Sequence, residues 1–238
     1  MTRPAPSSQR QRLLDAAGEI FAEGGFHQAT VRKICRRAGA NVGAISYHFG
    51  DKARLYQAAL AQAQGGPDDP TSLREAAAPP QRRLRELVVT RLLRVFDDDR
   101  PAWHGKLLSR EMVDPTPALD ALVDERIRPR CELLQAIVRE LLGPRATEEQ
   151  VRLSALSIIG QCLFYYHARA VLERLFSEQR YGTRQIDRLA DHITQFSLRA
   201  LASARAALES RTRRTTRVSA RGRVSVARHR STVKGSAG

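Results

Sequence analysis

Residues 30–52 constrain this chain more than any other stretch, because they place two short helices around one tight turn. Thr30 supplies a side-chain oxygen that can cap a helix, and the apolar residues after it recur at helical spacing. Gly39 then ends that helix, because a glycine adopts the left-handed backbone conformation that a Cβ disfavours. Asn41 is a second capping residue, so another helix begins almost at once. The pattern predicts a helix-turn-helix, a motif whose second helix enters the major groove of DNA.

The second helix of this motif is expected to have an inner and an outer face. Val42, Ile45 and Phe49 fall at the spacing of a core-facing stripe. The remaining side chains are mostly small, and small side chains permit close approach to the bases. This outer face consists of Gly43, Ala44, Ser46 and Tyr47.

Further DNA contacts are expected around this face, mostly to phosphates. Phosphate contacts set the position of a protein on DNA, whereas base contacts set its sequence preference. Lys52 stands in the first turn of a helix that Asp51 can cap, and from there it can reach a phosphate. The candidate contacts beyond the outer face are Thr30, Arg32, Asn41, His48 and Lys52, and Tyr47 can serve in both roles.

The ordered run of residues around the motif resembles the DNA-binding domain of TetR-family transcriptional regulators. The residues that carry the resemblance are Leu14, Ala17, Phe21, Gly25, Phe26, Thr30, Val31, Ile34, Ala38, Gly39, Gly43, Ala44, Ile45, Tyr47, His48, Phe49, Lys52, Leu55 and Tyr56. Ser46 departs from the family pattern, since many members carry an aromatic or larger side chain there. The resemblance implies a DNA-binding regulator and leaves its operator sequence open.

Charge is distributed unevenly along the 238 residues, whose formal net charge is +15. Residues 211–238 hold eight Arg and one Lys without any Asp or Glu, and residues 1–64 hold nine basic against four acidic side chains. The middle of the chain is therefore nearly neutral, as expected of a basic DNA-binding module attached to a body that does not touch DNA. The sequence contains no apolar run of membrane-spanning length and begins with polar residues, which predicts a cytoplasmic protein.

The three cysteines argue against a metal site or a disulfide framework. Cys35, Cys131 and Cys162 are odd in number, widely spaced and set among apolar residues, a pattern typical of buried free thiols. The short Cys or His pairs of structural zinc sites are missing. The sequence also lacks a nucleophile with an activating base and a pair of catalytic carboxylates, so we expect neither an enzyme nor a cofactor.

The apolar spacing is helical throughout, without strand alternation, and predicts an all-α protein of about nine helices. Pro129 predicts a kink or break within the helical stretch 118–142. Thr147 and Gln150 have the spacing of a capping box that opens a helix to about residue 177. The predicted segments are a DNA-binding domain at 1–64, a Gly- and Pro-rich connector at 65–80, a helical effector-binding and dimerisation domain at 81–210, and a tail at 211–238.

The last two helices of the body predict a homodimer. A single helix-turn-helix contacts few base pairs, so such proteins usually span two half-sites as dimers. The alternative is that these helices only fill the core of one molecule. The residues expected at the seam between two copies are Leu156, Ile159, Leu163, Ile193, Phe196 and Ala200.

Two stretches of the body collect its aromatic, sulfur-containing and polar side chains and predict a pocket for a small molecule. Ligand pockets are mostly apolar with a few convergent polar groups, and aromatics beside Met suit a hydrophobic ligand. An aromatic stripe on a helix is also common in an ordinary core. The candidate lining residues are Trp103, Arg110, Met112, Cys162, Phe164, Tyr165, Tyr166 and His167.

A second resemblance covers roughly residues 80–208 and concerns the C-terminal domain of the CerR subgroup of TetR-type regulators. It is carried by Glu111, Met112, Pro115, Thr116, Pro117, Ala118, Leu119, Arg128, Pro129, Arg130, Gly160, Gln161, Cys162, Leu163, Phe164 and Arg169. The resemblance implies a repressor that leaves its DNA operator when a small hydrophobic compound binds. Members of the subgroup often control export or resistance genes.

The tail at residues 211–238 has no apolar period and is expected to be disordered. It can bind phosphate backbones without sequence preference. Alternatively, it is an extension without function in a genome that favours Arg codons, since the chain has 36 Arg and only four Lys. A tail that dominates binding would make the protein a nonspecific architectural nucleic-acid binder, which is the alternative to a sequence-specific regulator.

Overall fold

The computed structural model describes residues 8–65, 78–97, 99–178 and 182–233, with side chains as far as residue 210. In these residues the regular structure is helical and contains no strand, which confirms the all-α prediction. A π-helical turn, Val123–Ile127, joins two of the helices. Numbered in chain order, the helices are α1 Gln9–Gln28, α2 Val31–Ala38, α3 Gly43–Phe49, α4 Lys52–Gln64, α5 Pro80–Val95, α6 Ala102–Val113, α7 Ala118–Leu122, α8 Arg128–Leu142, α9 Glu148–His167, α10 Arg169–Leu175 and α11 Thr183–Val233.

The chain folds into two compact units. The first combines residues 1–70 with residues 97–132, and the second takes the rest of the chain. The first unit therefore extends beyond the boundary after Gln64 that the sequence indicated, because a segment assigned to the effector domain clusters with the N-terminal helices. Most of the predicted connector, residues 66–77, lies outside the described residues.

The core of the first unit shows why the later segment belongs to it. Trp103 and Leu107, both on α6, are buried in one apolar cluster with Leu13 and Phe21 of α1. Gly18 makes room for the indole, since a Cβ at this position would lie 2.4 Å from the Trp103 ring. Helix α6 is thus an integral part of the core behind the helix-turn-helix.

Pro129 neither ends nor breaks the helical stretch in which it lies. It is the second residue of α8, directly after the π-helical turn Val123–Ile127, and Arg128 N–H donates to Val123 O. A proline lacks an N–H and clashes with the carbonyl four residues earlier, and the wider π turn accommodates both effects. The helical stretch therefore continues through Pro129 with a local change of pitch just before it.

The capping box at the start of α9 is confirmed. Thr147 Oγ1 accepts from Gln150 N at 3.2 Å, and Gln150 Oε1 accepts from Thr147 N at 2.9 Å. The predicted length is wrong, because α9 ends at His167 and the short α10 follows after Ala168. Neither Gly nor Pro stands at this break, so the sequence carries no local signal for it.

The segment that the sequence analysis expects to be a disordered tail is helical as far as residue 233. Helix α11 continues from the body through 51 residues to Val233, and residues 234–238 lie outside the described part of the chain. Adding a residue to an existing helix forms a hydrogen bond without a new nucleation cost, so α11 can continue past the part that packs in the body. The extension therefore needs no apolar period of its own.

Candidate nucleic-acid interface

Helix α2 begins and ends as the sequence predicted. Thr30 Oγ1 accepts from Lys33 N at 3.2 Å, so the threonine is the N-cap. Gly39 adopts φ 62° and ψ 38°, the left-handed conformation that a side chain disfavours. Ile34, Cys35 and the rest of the buried face of α2 pack into the core of the first unit. The turn therefore places α3 at the protein surface, next to the firmly packed helix α2.

The start and the orientation of α3 differ from the prediction. Val42, not Asn41, occupies the N-cap position, without a side-chain hydrogen bond, and the main-chain carbonyl of Asn41 accepts from Ala44 N at 3.2 Å. Val42 is exposed rather than buried, whereas Ala44 is buried rather than exposed. Because the helix starts at Gly43, its inner face is carried by Ala44, Ile45 and Phe49. The assignment of Ala44 to the DNA-facing side is wrong.

The outward side of α3 is formed by Gly43, Ser46 and Tyr47, all of which are exposed. The Tyr47 side chain is 85% exposed. No other large apolar side chain in the described residues is more exposed. Gly43 lies one turn before Tyr47 on the same side of α3, and a Cβ there would meet only the Asn41 Oδ1 atom, at 3.6 Å. A large ring next to an open backbone offers apolar contact and hydrogen bonding to a groove.

The predicted phosphate contacts are placed in different environments. Thr30 and Arg32 are exposed at the start of α2, and the side chain of Asn41 is exposed in the turn. His48 is half-buried, with its Nε2 atom 3.1 Å from Gln9 Oε1. Thr30, Arg32 and Asn41 precede α3 in the chain, whereas His48 lies on α3 itself.

Lys52 is engaged within the protein. Its ammonium donates to Ala29 O at 2.9 Å and lies 4.4 Å from the centroid of the Phe26 ring. An ammonium group has three donors, so a phosphate contact is chemically compatible with this hydrogen bond. The same contacts fix the first turn of α4 against the residues that precede Thr30.

Behind the motif, a buried carboxylate joins α4 to α6 and the loop after it. Glu111 is fully buried and accepts from Tyr56 Oη at 2.6 Å. It also accepts from Thr116 N and Thr116 Oγ1, both at 2.9 Å. Burial and the Glu111 carboxylate raise the pKa of the Tyr56 hydroxyl above its ordinary value, so Tyr56 stays a donor. No local pattern predicts this pairing, since 55 residues separate the partners.

The residues predicted to line an effector pocket are divided between the two units. In the first unit, Trp103 is a core residue, Met112 is exposed, and Arg110 Nη2 donates to Glu23 O at 3.1 Å. The others lie on the last turns of α9 in the second unit. Of these, Cys162 is buried, Tyr165 and Tyr166 are half-buried, and Phe164 and His167 are exposed.

The predicted dimer seam is apolar and largely exposed in the single chain. Leu156 and Leu163 on α9 are exposed, and so are Phe196 and Ala200 on α11, with Phe196 exposed to 60%. Ile159 is half-buried. The assignment of Ile193 to the seam is wrong, because Ile193 lies in the core of the second unit. Sequence spacing cannot separate a residue at the inner edge of an apolar stripe from one at its outer edge.

Family comparisons cover both parts of the chain. Residues 80–201 match the family described as HTH-type transcriptional dual regulator CecR, C-terminal domain. Residues 13–59 match the bacterial regulatory proteins of the tetR family. The subgroup expected from the sequence under the name CerR is therefore the CecR subgroup. Among the helices of the described residues, none has an apolar stretch of membrane-spanning length.

Individual relatives agree with these matches. The HTH-type transcriptional dual regulator CecR of Shigella flexneri is 27% identical over 167 residues, which span 66% of this chain and 74% of that protein. The HTH-type transcriptional repressor AcnR of Corynebacterium efficiens is 44% identical over 57 residues, 24% of this chain and 30% of AcnR. The crystal structure of the transcriptional regulator FadR from Bacillus subtilis in complex with stearoyl-CoA has a TM-score of 0.56 at 20% identity, covering 82% of this chain and 98% of that one. The likeness to FadR concerns the fold.

Proposed function

Because the chain belongs to the TetR-family transcriptional regulators that carry a CecR-type C-terminal domain, we propose that it is a ligand-responsive repressor that binds its operator as a homodimer. The observation that carries this proposal is the outward side of α3, where Tyr47 projects into solvent beside Gly43 and Ser46 on a helix backed by α2. The relative AcnR is a repressor and is 44% identical to this chain over 57 residues. The comparisons give no support to a nonspecific architectural binder.

In this proposal, the outward residues of α3 read the bases and the residues around them hold the phosphates. Gly43 lets the backbone approach the base edges, while Ser46 and Tyr47 make the side-chain contacts. Thr30, Arg32, Asn41, His48 and Lys52 set the position of the motif on the DNA backbone.

Dimerisation is proposed through the exposed apolar faces of α9 and α11 in the second unit. Leu153 and Phe164 were not among the residues predicted for the seam, and they extend the exposed stripe on α9. Gly160 lies on the same helix and faces open space, so another backbone can approach it closely. Burying these side chains against a second copy removes apolar surface from water.

Replacing Leu156 with glutamate is expected to convert a dimer into a monomer. Each of the two chains would bury one glutamate carboxylate in the seam, and burial of an unpaired charge is unfavourable. Sedimentation velocity of the purified chain measures the change in mass. The matched control is Leu175→Glu, because Leu175 is an equally large, exposed leucine on α10. A Leu156→Glu chain that sediments as the wild type does would contradict this seam.

The effector is proposed to be a small hydrophobic compound, and the regulated genes are proposed to serve export or resistance. The second-unit residues Cys162, Tyr165 and Tyr166 lie on the last turns of α9, and they bring apolar and hydroxyl groups of the kind that line ligand pockets. Binding would favour a conformation in which the two DNA-binding motifs of a dimer no longer match their half-sites. A tenfold release from DNA requires about 1.4 kcal/mol of coupling free energy.

Binding to the DNA upstream of the protein's own gene tests the proposed function. The full chain and residues 1–210 are compared on this fragment and on a scrambled fragment of equal length, at about physiological salt. We expect both chains to prefer the upstream fragment. If the full chain binds the two fragments equally and residues 1–210 bind neither, the protein is a nonspecific architectural binder and the proposed function is wrong.

The same two chains test the role of residues 211–238. If their basic side chains bind phosphates, truncation is expected to weaken nonspecific binding and to flatten the slope of log K against log salt concentration, by about 0.9 per lost phosphate contact. Titrations of nonspecific DNA at several salt concentrations measure the slope. An unchanged slope would remove the tail from the DNA interface.

A further inference from the structure

The first turn of α1 lies against the last turn of α3. Ser8 Oγ accepts from Gln11 N at 3.2 Å, which caps α1 at this place. Gln9 then brings its Oε1 atom to 3.1 Å from His48 Nε2. Arg10, the next residue, places its guanidinium carbon 4.8 Å from the centroid of the Phe49 ring. Two successive residues of α1 therefore contact two successive residues of α3.

The contact with His48 reaches the most outward side chain of α3. The rings of His48 and Tyr47 meet edge to face, with centroids 4.8 Å apart and planes at 77°. An amide oxygen only accepts, so an Nε2–H group of His48 donates to Gln9 and fixes the orientation of the imidazole. The orientation of the imidazole in turn limits the positions open to the Tyr47 ring.

We propose that Gln9 is a positioning residue of the DNA interface. It holds the imidazole of His48, and through it the exposed ring of Tyr47, in one arrangement before DNA arrives. A side chain that is already ordered loses less conformational entropy on binding, so this arrangement strengthens binding without a contact between Gln9 and DNA. The inference rests on the proposed function, because it assigns Tyr47 and His48 to the DNA interface.

The test removes the acceptor while keeping the size of the side chain. Gln9→Met is titrated by fluorescence anisotropy with a duplex that the wild-type full chain has selected from random-sequence DNA. We expect about three- to tenfold weaker binding, the effect of losing one hydrogen bond. The thermal midpoint should stay that of the wild type, since Gln9 is exposed at the end of a helix. The matched control, Gln57→Met at an exposed position of α4, is expected to bind like the wild type.

A double-mutant cycle shows whether Gln9 acts through His48. In a His48→Ala chain, adding Gln9→Met is expected to cost no further affinity. An equal loss in both backgrounds would mean that Gln9 contacts DNA itself, and no loss in either would mean that it has no role, so both results overturn the inference. A wild-type chain that selects no DNA sequence overturns the proposed function and this inference with it. Selection of a sequence followed by normal binding of Gln9→Met overturns the inference alone.

Discussion

Replacing Glu111 with alanine is expected to lower the free energy of unfolding of the first unit by about 3 to 5 kcal/mol. The carboxylate accepts three hydrogen bonds inside the protein, one from Tyr56 and two from Thr116. Alanine leaves all three donors without their acceptor. The buried Tyr56 hydroxyl then costs about 1 to 3 kcal/mol, and the two half-buried Thr116 donors cost less because water can reach them. Tyr56→Phe removes only one of the three hydrogen bonds, and because that bond goes to a buried carboxylate it should cost about 1.5 to 3 kcal/mol.

Tryptophan fluorescence during urea unfolding measures this effect in the correct unit. The chain contains a single tryptophan, Trp103, and it lies in the core of the first unit. The change in emission therefore reports the unfolding of that core. Glu23→Ala is the matched control, because Glu23 is an exposed carboxylate on α1. If Glu111→Ala unfolds at the same urea concentration as Glu23→Ala, the hydrogen-bonded carboxylate does not stabilise the unit.

Replacing Tyr47 with alanine is expected to weaken operator binding by about tenfold per half-site, and hence by about a hundredfold for two copies that bind together. The ring is 85% exposed, so its removal takes nothing from the core, and the free energy of unfolding should stay unchanged. A loss of affinity without a loss of stability is typical of a side chain that contacts the ligand.

Tyr47→Phe separates the two contributions of this side chain. If the ring packs against sugars and bases, Tyr47→Phe should retain most of the affinity. If the hydroxyl contacts a phosphate, Tyr47→Phe should bind nearly as poorly as Tyr47→Ala. Anisotropy titrations of the two variants and of Gln57→Ala, at one salt concentration, make the comparison. Wild-type affinity in Tyr47→Ala would remove Tyr47 from the interface.

The parts of the motif that sequence reasoning predicts well are those set by local chemistry. Thr30 caps α2 because a hydroxyl at this position satisfies a free N–H, and Gly39 ends α2 because only a residue without a Cβ adopts its backbone conformation readily. Both signals lie within a few residues of their effect. The phase of α3 is harder to predict, because a shift of one position at its start moves Val42 outward and Ala44 inward.

Contacts between distant parts of the chain give no comparable signal. The hydrogen bond from Tyr56 to Glu111 and the packing of Trp103 against Gly18 depend on how helices meet in space. The pocket and seam predictions depend on the same information, and Ile193 shows the limit, since its spacing suits a seam while its burial makes it core. Helical period predicts that a residue faces an apolar partner, but it does not predict which partner.

The DNA-binding unit is made of two separate segments of the chain, so exchange of a single gene segment does not transfer it whole. A recombination breakpoint near residue 65 would transfer the helix-turn-helix and leave behind Trp103 and Leu107, which complete its core. The recipient's own residues would have to fill the space beside Gly18, and a mismatch there would leave either a cavity or an overlap. Substitutions at Ser46 and Tyr47 change no core contact. A new operator preference in such a chain therefore arises more readily from point mutations on α3 than from exchange of domains.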